Sequence, residues 1–153
     1  MFIKSILTAI AAVGLTACAT ASPLANSPET ERPEAMLTII TSADPETQLM
    51  ALVLTRSAME AGERPHILLC SAGGDLALKD APASATAPLQ PKGASPQGLL
   101  KMLMAGGVSV DVCAIYLPNR PFGPEALLDG IGVAQPDDMG ARIAAPGETI
   151  LSF

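Results

Sequence analysis

The residue best placed for chemistry is Cys113, a thiol at the end of an apolar, strand-like run that begins at Val108. In an open α/β sheet, ligands and reactive groups gather at the carboxyl ends of the strands, so this thiol is a candidate nucleophile. Only the thiolate reacts, and a nearby cation favours that form. Arg120 is the candidate cation, provided that the loop after Cys113 folds back. The alternative is that Cys113 is a small buried hydrophobe, the commonest fate of a free cysteine.

Composition argues against most other kinds of site. A formal net charge of −6 repels phosphate backbones, so we expect no nucleic-acid binding. No glycine-rich phosphate loop is present, which removes the usual nucleotide sites. His66 is the single histidine, and no G-x-S-x-G elbow supports a catalytic triad around it. Two distant cysteines and one histidine in the domain also provide poorly for zinc. We therefore expect neither a metal nor a cofactor.

The first eighteen residues read as an export signal. Lys4 precedes the apolar run 6–15, whose length of about ten residues is too short to span a bilayer but suits a signal-peptide core. Leu15-Thr16-Ala17-Cys18 then resembles the processing box of bacterial lipoproteins. That resemblance implies that Cys18 becomes the lipidated first residue of the mature chain. With Ala19 after it, the expected location is the periplasm, anchored by lipid to the outer membrane.

The sequence also offers a second cleavage site for the signal peptide, so the lipid anchor is not the single alternative. Cleavage after Ala19-Thr20-Ala21 would give an ordinary periplasmic protein without a lipid. In either case residues 19–34, which hold three prolines among small polar residues, cannot bury enough apolar surface to order themselves. As a flexible tether this segment would reach roughly 20–25 Å. Residues 35–153 then form one domain.

Alternating strand and helix signals run through this domain. Strands are predicted at 36–41, 66–70, 108–113, 131–134 and 148–153. Helices are predicted at 45–61, 96–105, 124–128 and 136–144, several of them opened by a capping residue followed by proline. Residues 80–95 form a long loop without a strong pattern, of the kind that serves as a lid or binding loop or else is disordered. Together these predict a three-layer α/β/α domain with a mostly parallel five-stranded sheet.

Three further side-chain assignments follow from the same pattern. His66 begins its strand at the end opposite the thiols, so it is predicted to lie at an edge or on the surface. The methionines of the helices have helical spacing, which favours core packing over binding of a soft metal: Met50, Met59, Met102 and Met104. Asp75 lies near the predicted site without an assigned role.

The order of these parts resembles the DsrE/DsrF-like family of sulfur-relay proteins. The matching segments are Leu37-Thr38-Ile39-Ile40-Thr41-Ser42, Asp75-Leu76-Ala77-Leu78, Leu99-Leu100-Lys101-Met102-Leu103, Gly106-Gly107-Val108, Val112-Cys113 and Glu125-Ala126-Leu127-Leu128-Asp129-Gly130. The resemblance extends over residues 36–153. It implies a DsrE-like fold, assembly into homo-oligomers such as trimers or hexamers, and a donor or acceptor protein for sulfur as the partner.

The resemblance also assigns chemistry to Cys113, which falls on the cysteine that carries a persulfide in the relay members of that family. The Arg-Gly pair that usually follows is only partly matched, because Pro121 and Phe122 separate Arg120 from Gly123. The relay proteins are cytoplasmic, whereas the N-terminal pattern predicts export for this chain. The usual partners are therefore not assumed for it.

The same resemblance bears on Cys70 as a resolving thiol. The family's strand order, 4-3-2-1-5, places the second and third strands side by side, ~4.8 Å apart, which a disulfide between Cys70 and Cys113 tolerates. A flavodoxin-like order, 2-1-3-4-5, would separate them by ~9–10 Å, too far for a bond. An oxidising periplasm favours the disulfide if the geometry allows it. Otherwise Cys70 is a core residue.

Two hypotheses of function remain, and whether the chain is an enzyme stays open. The first is an exported sulfur carrier that works through Cys113. The second is a noncatalytic periplasmic binding or assembly module with a structural cysteine, which the acidic charge and the incomplete loop match favour. A thiol–disulfide protein is a weaker third, since no C-x-x-C is present.

Overall fold

The computed structural model describes residues 35–153. The predicted export signal at 1–18, its lipidation site Cys18 and the predicted tether at 19–34 lie outside the described residues. No helix within the described part of the chain combines the length and apolar character needed to cross a membrane.

Strands and helices alternate along the described residues, as the sequence pattern predicts. The strands are β1 (Ala35–Ile40), β2 (Arg64–Leu69), β3 (Ser109–Cys113), β4 (Gly132–Ala134) and β5 (Glu148–Ser152). The α-helices are α1 (Pro45–Glu60), α2 (Ala83–Thr86), α3 (Pro96–Ala105) and α4 (Pro136–Ile143). Short 3-10 segments cover Ser71–Ala77, Leu117–Asn119 and Pro124–Ala126. The predicted helix at 124–128 is thus a single 3-10 turn.

All strand pairs in residues 35–153 are parallel, and the five strands lie in the order β4-β3-β2-β1-β5. β2 is therefore central, with β1 and β3 as its neighbours. Leu37 pairs with His66 and Leu69 with Val112 in the register of these strands. This arrangement confirms the predicted α/β fold class, and the strand order is the one that the resemblance implies.

Local signals explain where the two longer helices begin. Asp44 accepts a hydrogen bond from the backbone N–H of Thr47 at 2.8 Å, and Pro45 opens α1. Ser95 accepts from the N–H of Gly98 at 3.2 Å, and Pro96 opens α3. Each cap satisfies an N–H that the first turn of a helix cannot bond internally, and each proline occupies a position where no N–H is needed.

The main core lies between the sheet and the pair α1 and α3. Leu52 of α1, Leu100 of α3 and Ile67 and Val112 of the strands are fully or almost fully buried there. A polar contact between a strand and a helix is enclosed in this layer: the hydroxyls of Thr38 on β1 and Thr55 on α1 lie 2.9 Å apart. Thr55 also donates to the carbonyl of Ala51 at 2.8 Å, so Thr38 donates to Thr55.

The opposite face of the sheet has a thinner cover. Its buried residues are Leu37, Leu68 and Ala134, and the partly buried residues packed against them include Met139 of α4 and both domain cysteines. Alternate residues of a strand point to opposite faces. Cys70 and Cys113 therefore belong to the face on which α4, rather than α1 and α3, lies.

Two side-chain and loop predictions need correction. Met59 and Met104 pack against the core, but Met50 and Met102 are 53% and 57% exposed, because they occupy the outer faces of α1 and α3. Residues 80–95 are not structureless: α2 forms within them, Ala85 is buried, and Leu89 pairs with Ala94 through an N–H···O bond of 2.9 Å.

Candidate thiol site

The two domain cysteines meet at the carboxyl ends of adjacent central strands. Cys113 is the last residue of β3, and Cys70 directly follows β2. Their Cα atoms are 5.1 Å apart, and the two sulfurs form a disulfide. Both residues are partly exposed. The strand order that puts β2 beside β3 therefore decides the pairing that the sequence alone left open.

The turn after Cys70 fits closely against its surroundings. The N–H of Cys70 donates to the carbonyl of Ile40 at 2.9 Å, which ties this turn to the end of β1. Ser71 has a positive φ of 52°, a conformation that few non-glycine residues adopt. Gly73 and Gly74 are buried, and a Cβ atom at Gly73 would overlap the carbonyl group of Ile40. Only residues without a side chain allow the turn to lie this close to β1.

A polar cluster joins this turn to the loop after β3. The Tyr116 hydroxyl donates to Asp75 Oδ1 at 2.7 Å, and Arg120 Nη2 lies 3.7 Å from the same oxygen. The Arg120 guanidinium carbon is 4.6 Å from the centre of the Tyr116 ring, and Nη2 donates to the carbonyl of Ser71 at 3.3 Å. Burial and the bond to Asp75 raise the pKa of Tyr116 to about 12. Tyr116 is therefore a neutral hydrogen-bond donor at physiological pH.

The position of Arg120 refines the sequence prediction. The loop after Cys113 does fold back, and the N–H of Tyr116 donates to the carbonyl of Cys113 at 2.8 Å. The contacts of Arg120, however, are with Ser71, Asp75 and Tyr116. Its guanidinium thus contacts Ser71, the residue that follows Cys70. Sequence reasoning gave Tyr116 no role, although its being the single tyrosine, three residues after the candidate cysteine, was an available signal.

A second group of charged residues lies at the opposite ends of the strands. His66 Nε2 is 2.9 Å from Asp111 Oδ2, although outside hydrogen-bond geometry, and Arg142 Nε is 2.8 Å from Glu148 Oε1. Four of the residues that line an open cleft of about 450 Å³ are His66, Glu63, Arg142 and Glu148. The prediction that His66 lies at an edge or on the surface is wrong as to its exposure: it is only 9% exposed, because Arg142 of α4 and Glu148 of β5 lie near it.

Lowering the pH is expected to weaken the fold through His66. Burial lowers its pKa below the usual 6.5, and Arg142 acts in the same direction, while Asp111 and Glu148 oppose them. The unfolded chain therefore binds this proton at a higher pH than the folded chain does. Stability should be complete above pH 6.5 and fall below it, by at most about 1.4 kcal/mol per pH unit, until the folded-state pKa is reached.

Urea unfolding at several pH values between 7.5 and 4.5 measures this effect. His66→Gln, which is similar in size and does not titrate, is the control. The difference in unfolding free energy between the two proteins should change below pH 6.5. Parallel pH curves would contradict the assignment.

Within residues 35–153, no group of three or more histidine, cysteine, aspartate or glutamate side chains is arranged to hold a metal ion.

Two solved structures have a fold similar to that of this chain. No family model matches the sequence, and no curated protein matches it significantly. Among solved structures, the YchN protein from E. coli aligns with a TM-score of 0.60 at 18% identity, over 78% of this chain and 98% of that one. MTH1491 from Methanobacterium thermoautotrophicum, a protein of unknown function, aligns with a TM-score of 0.58 at 19% identity, over 78% and 97% of the two chains. These likenesses, together with the five parallel strands of residues 35–153, show that the domain has the DsrE-like fold.

Proposed function

We propose that this chain is an exported, lipid-anchored sulfur carrier that holds sulfane sulfur as a persulfide on Cys113. The observation that carries the proposal is the pair of partly exposed cysteines at the carboxyl ends of β2 and β3. This is the edge of a parallel sheet where chemistry is generally found. The DsrE-like fold agrees with the proposal, since the sequence resembles that relay family in the residues around Cys113.

The proposed transfer conserves sulfur and electrons. A dithiol reductant first opens the disulfide and leaves two thiols. The Cys113 thiolate then attacks the outer sulfur of a persulfide donor, R–S–SH, so that a new S–S bond forms on Cys113 and the thiolate RS⁻ leaves. An acceptor thiolate later removes the outer sulfur in the same way and restores the Cys113 thiolate. Cys70 is the resolving thiol: it can attack Cys113, re-form the disulfide and release the carried sulfur as hydrosulfide.

Sulfur uptake by single-serine variants tests the proposal. Each variant, reduced and freed of reductant, is incubated with glutathione persulfide and analysed by intact mass. Cys70→Ser should retain one added sulfur atom because it lacks the resolving thiol, and Cys113→Ser should gain at least tenfold less. The pair is matched, since both variants lack the disulfide and any loss of stability that comes with it. Equal uptake by the two variants, or uptake by neither, would refute the carrier.

Export and anchoring are part of the proposal and are supported by the sequence alone. The short apolar run after Lys4 and the box that ends at Cys18 favour a lipoprotein of the outer membrane. Cell fractionation tests this part: the Cys18→Ala variant should leave the membrane fraction, whereas the wild-type chain stays in it.

A noncatalytic binding or assembly module is the second candidate. It is favoured by the disulfide itself, which cross-links the two thiols, and by the engagement of Arg120 with Asp75 and Tyr116 rather than with a thiolate. In this candidate the cysteines are structural, and copies of the chain assemble, as trimers or hexamers, to present a binding surface. Absence of sulfur uptake in both serine variants is the outcome that favours it.

A further inference from the structure

We infer that the Cys70–Cys113 disulfide is itself a sulfur-accepting group and that its substrate is hydrosulfide. This inference rests on the proposed carrier role of Cys113 and adds the source of the sulfur. It makes the oxidised domain, in which the two sulfurs are bonded, a second form that can be loaded, beside the reduced form that takes sulfur from a persulfide.

The position of the bond suits attack by a small anion. The disulfide lies on the sheet face that has the thin cover, and both cysteines are partly exposed. Hydrosulfide has a single heavy atom, so it needs no shaped pocket to reach the sulfur.

The reaction balances without another reagent. Hydrosulfide attacks Sγ of Cys113, the Cys70–Cys113 bond breaks, and a new S–S bond joins the incoming sulfur to Cys113. The products are Cys113–S–SH and the Cys70 thiolate, with the same total charge as the reactants. The disulfide is the oxidant: the incoming sulfur is oxidised to the sulfane level, and Cys70 is reduced. This is the reverse of the resolving step described above.

The positive charge of Arg120 determines which of the two cysteine sulfurs is the leaving group. Arg120 Nη2 reaches the carbonyl of Ser71, the residue that follows Cys70, at 3.3 Å. Asp75 Oδ1 lies 3.7 Å from the same nitrogen, and Tyr116 stays neutral. A leaving thiolate beside a cation has a lower pKa and leaves faster. We therefore assign Cys70 as the leaving group, because Ser71, the residue that follows it, contacts Arg120, and the sulfur stays on Cys113. Arg120 acts here as a positioning residue.

Peptide mass analysis of the oxidised full-length chain tests the inference. The protein is treated with sodium sulfide, quenched with iodoacetamide and digested. The expected products are an alkylated persulfide on Cys113 and a singly alkylated Cys70. Arg120→Gln should slow the opening roughly threefold, the change expected for a leaving-group pKa that rises by about one unit. Arg120→Lys should restore the rate, and Arg56→Gln, which removes an exposed charge on α1, should leave it unchanged.

Each other result overturns the inference. A persulfide on Cys70 reverses the assigned direction. No adduct on the oxidised chain shows that hydrosulfide is not the substrate. If no adduct forms with sulfide but reduced Cys70→Ser takes sulfur from glutathione persulfide, the carrier role stands and only this source of sulfur falls. If that variant takes none either, both proposals fall together.

Discussion

Opening the Cys70–Cys113 disulfide is expected to lower the free energy of unfolding by roughly 4 kcal/mol. The two residues are 43 positions apart, and the loop-closure model assigns a cross-link of that span about this much lost entropy in the unfolded chain. Domains of this kind are stable by only about 5–15 kcal/mol. Reduction should therefore remove a large share of the total.

Urea unfolding with and without a phosphine reductant measures this loss. The double variant Cys70→Ser/Cys113→Ser should unfold near the midpoint of the reduced wild-type protein and should not respond to reductant. A wild-type midpoint that is the same in both conditions would show that the bond contributes nothing to stability. If the carrier role also holds, the reduced form exchanges this stability for reactive thiols.

Gly73→Ala is expected to cost about 3 kcal/mol or more. The added methyl group would overlap the carbonyl of Ile40, a backbone group that a rotamer change cannot move away. Overpacking of a close contact typically costs about 1–3 kcal/mol, and occasionally more when the backbone must shift. The turn that begins at Ser71 would have to move away from β1, and with it the hydrogen bond from Cys70 to Ile40.

Gly140→Ala is the matched control for this substitution. Gly140 lies inside α4 with no neighbouring atom near the position of an added Cβ, so alanine should stabilise the helix by about 0.5–1 kcal/mol. Thermal unfolding of both variants compares the two effects. Equal midpoints for Gly73→Ala and the wild type would contradict the close approach of the turn to β1.

The local elements of this fold were predictable because their signals are local. Asp44-Pro45 and Ser95-Pro96 mark the helix starts where the structure has them, and the apolar runs mark the strands to within two residues. The strand order was not available from these signals, since it depends on contacts between distant segments. It came from the family resemblance, which made a bond between Cys70 and Cys113 geometrically allowed but left the pairing itself open.

The contacts around the site were harder to foresee. Asp75 and Tyr116 are 41 residues apart, and nothing near either of them in sequence indicates the other. His66 was expected at the surface because it begins a strand, yet α4 and β5 bring Arg142 and Glu148 against that end of the sheet. Whether the end of a strand is buried depends on the elements that pack around it, and the residue pattern of the strand alone does not indicate this.

The buried hydroxyl pair of Thr38 and Thr55 has a consequence for how uniquely this domain folds. Leucine and isoleucine contacts tolerate small rotations of a helix, since dispersion has little directionality. A hydroxyl that is buried away from water must instead keep its acceptor, because losing it would cost the fold about 1–3 kcal/mol. A slide of α1 by one turn along the sheet would separate the two oxygens, now 2.9 Å apart. The pair therefore favours one position of α1 along the sheet over other positions that would bury a similar apolar area.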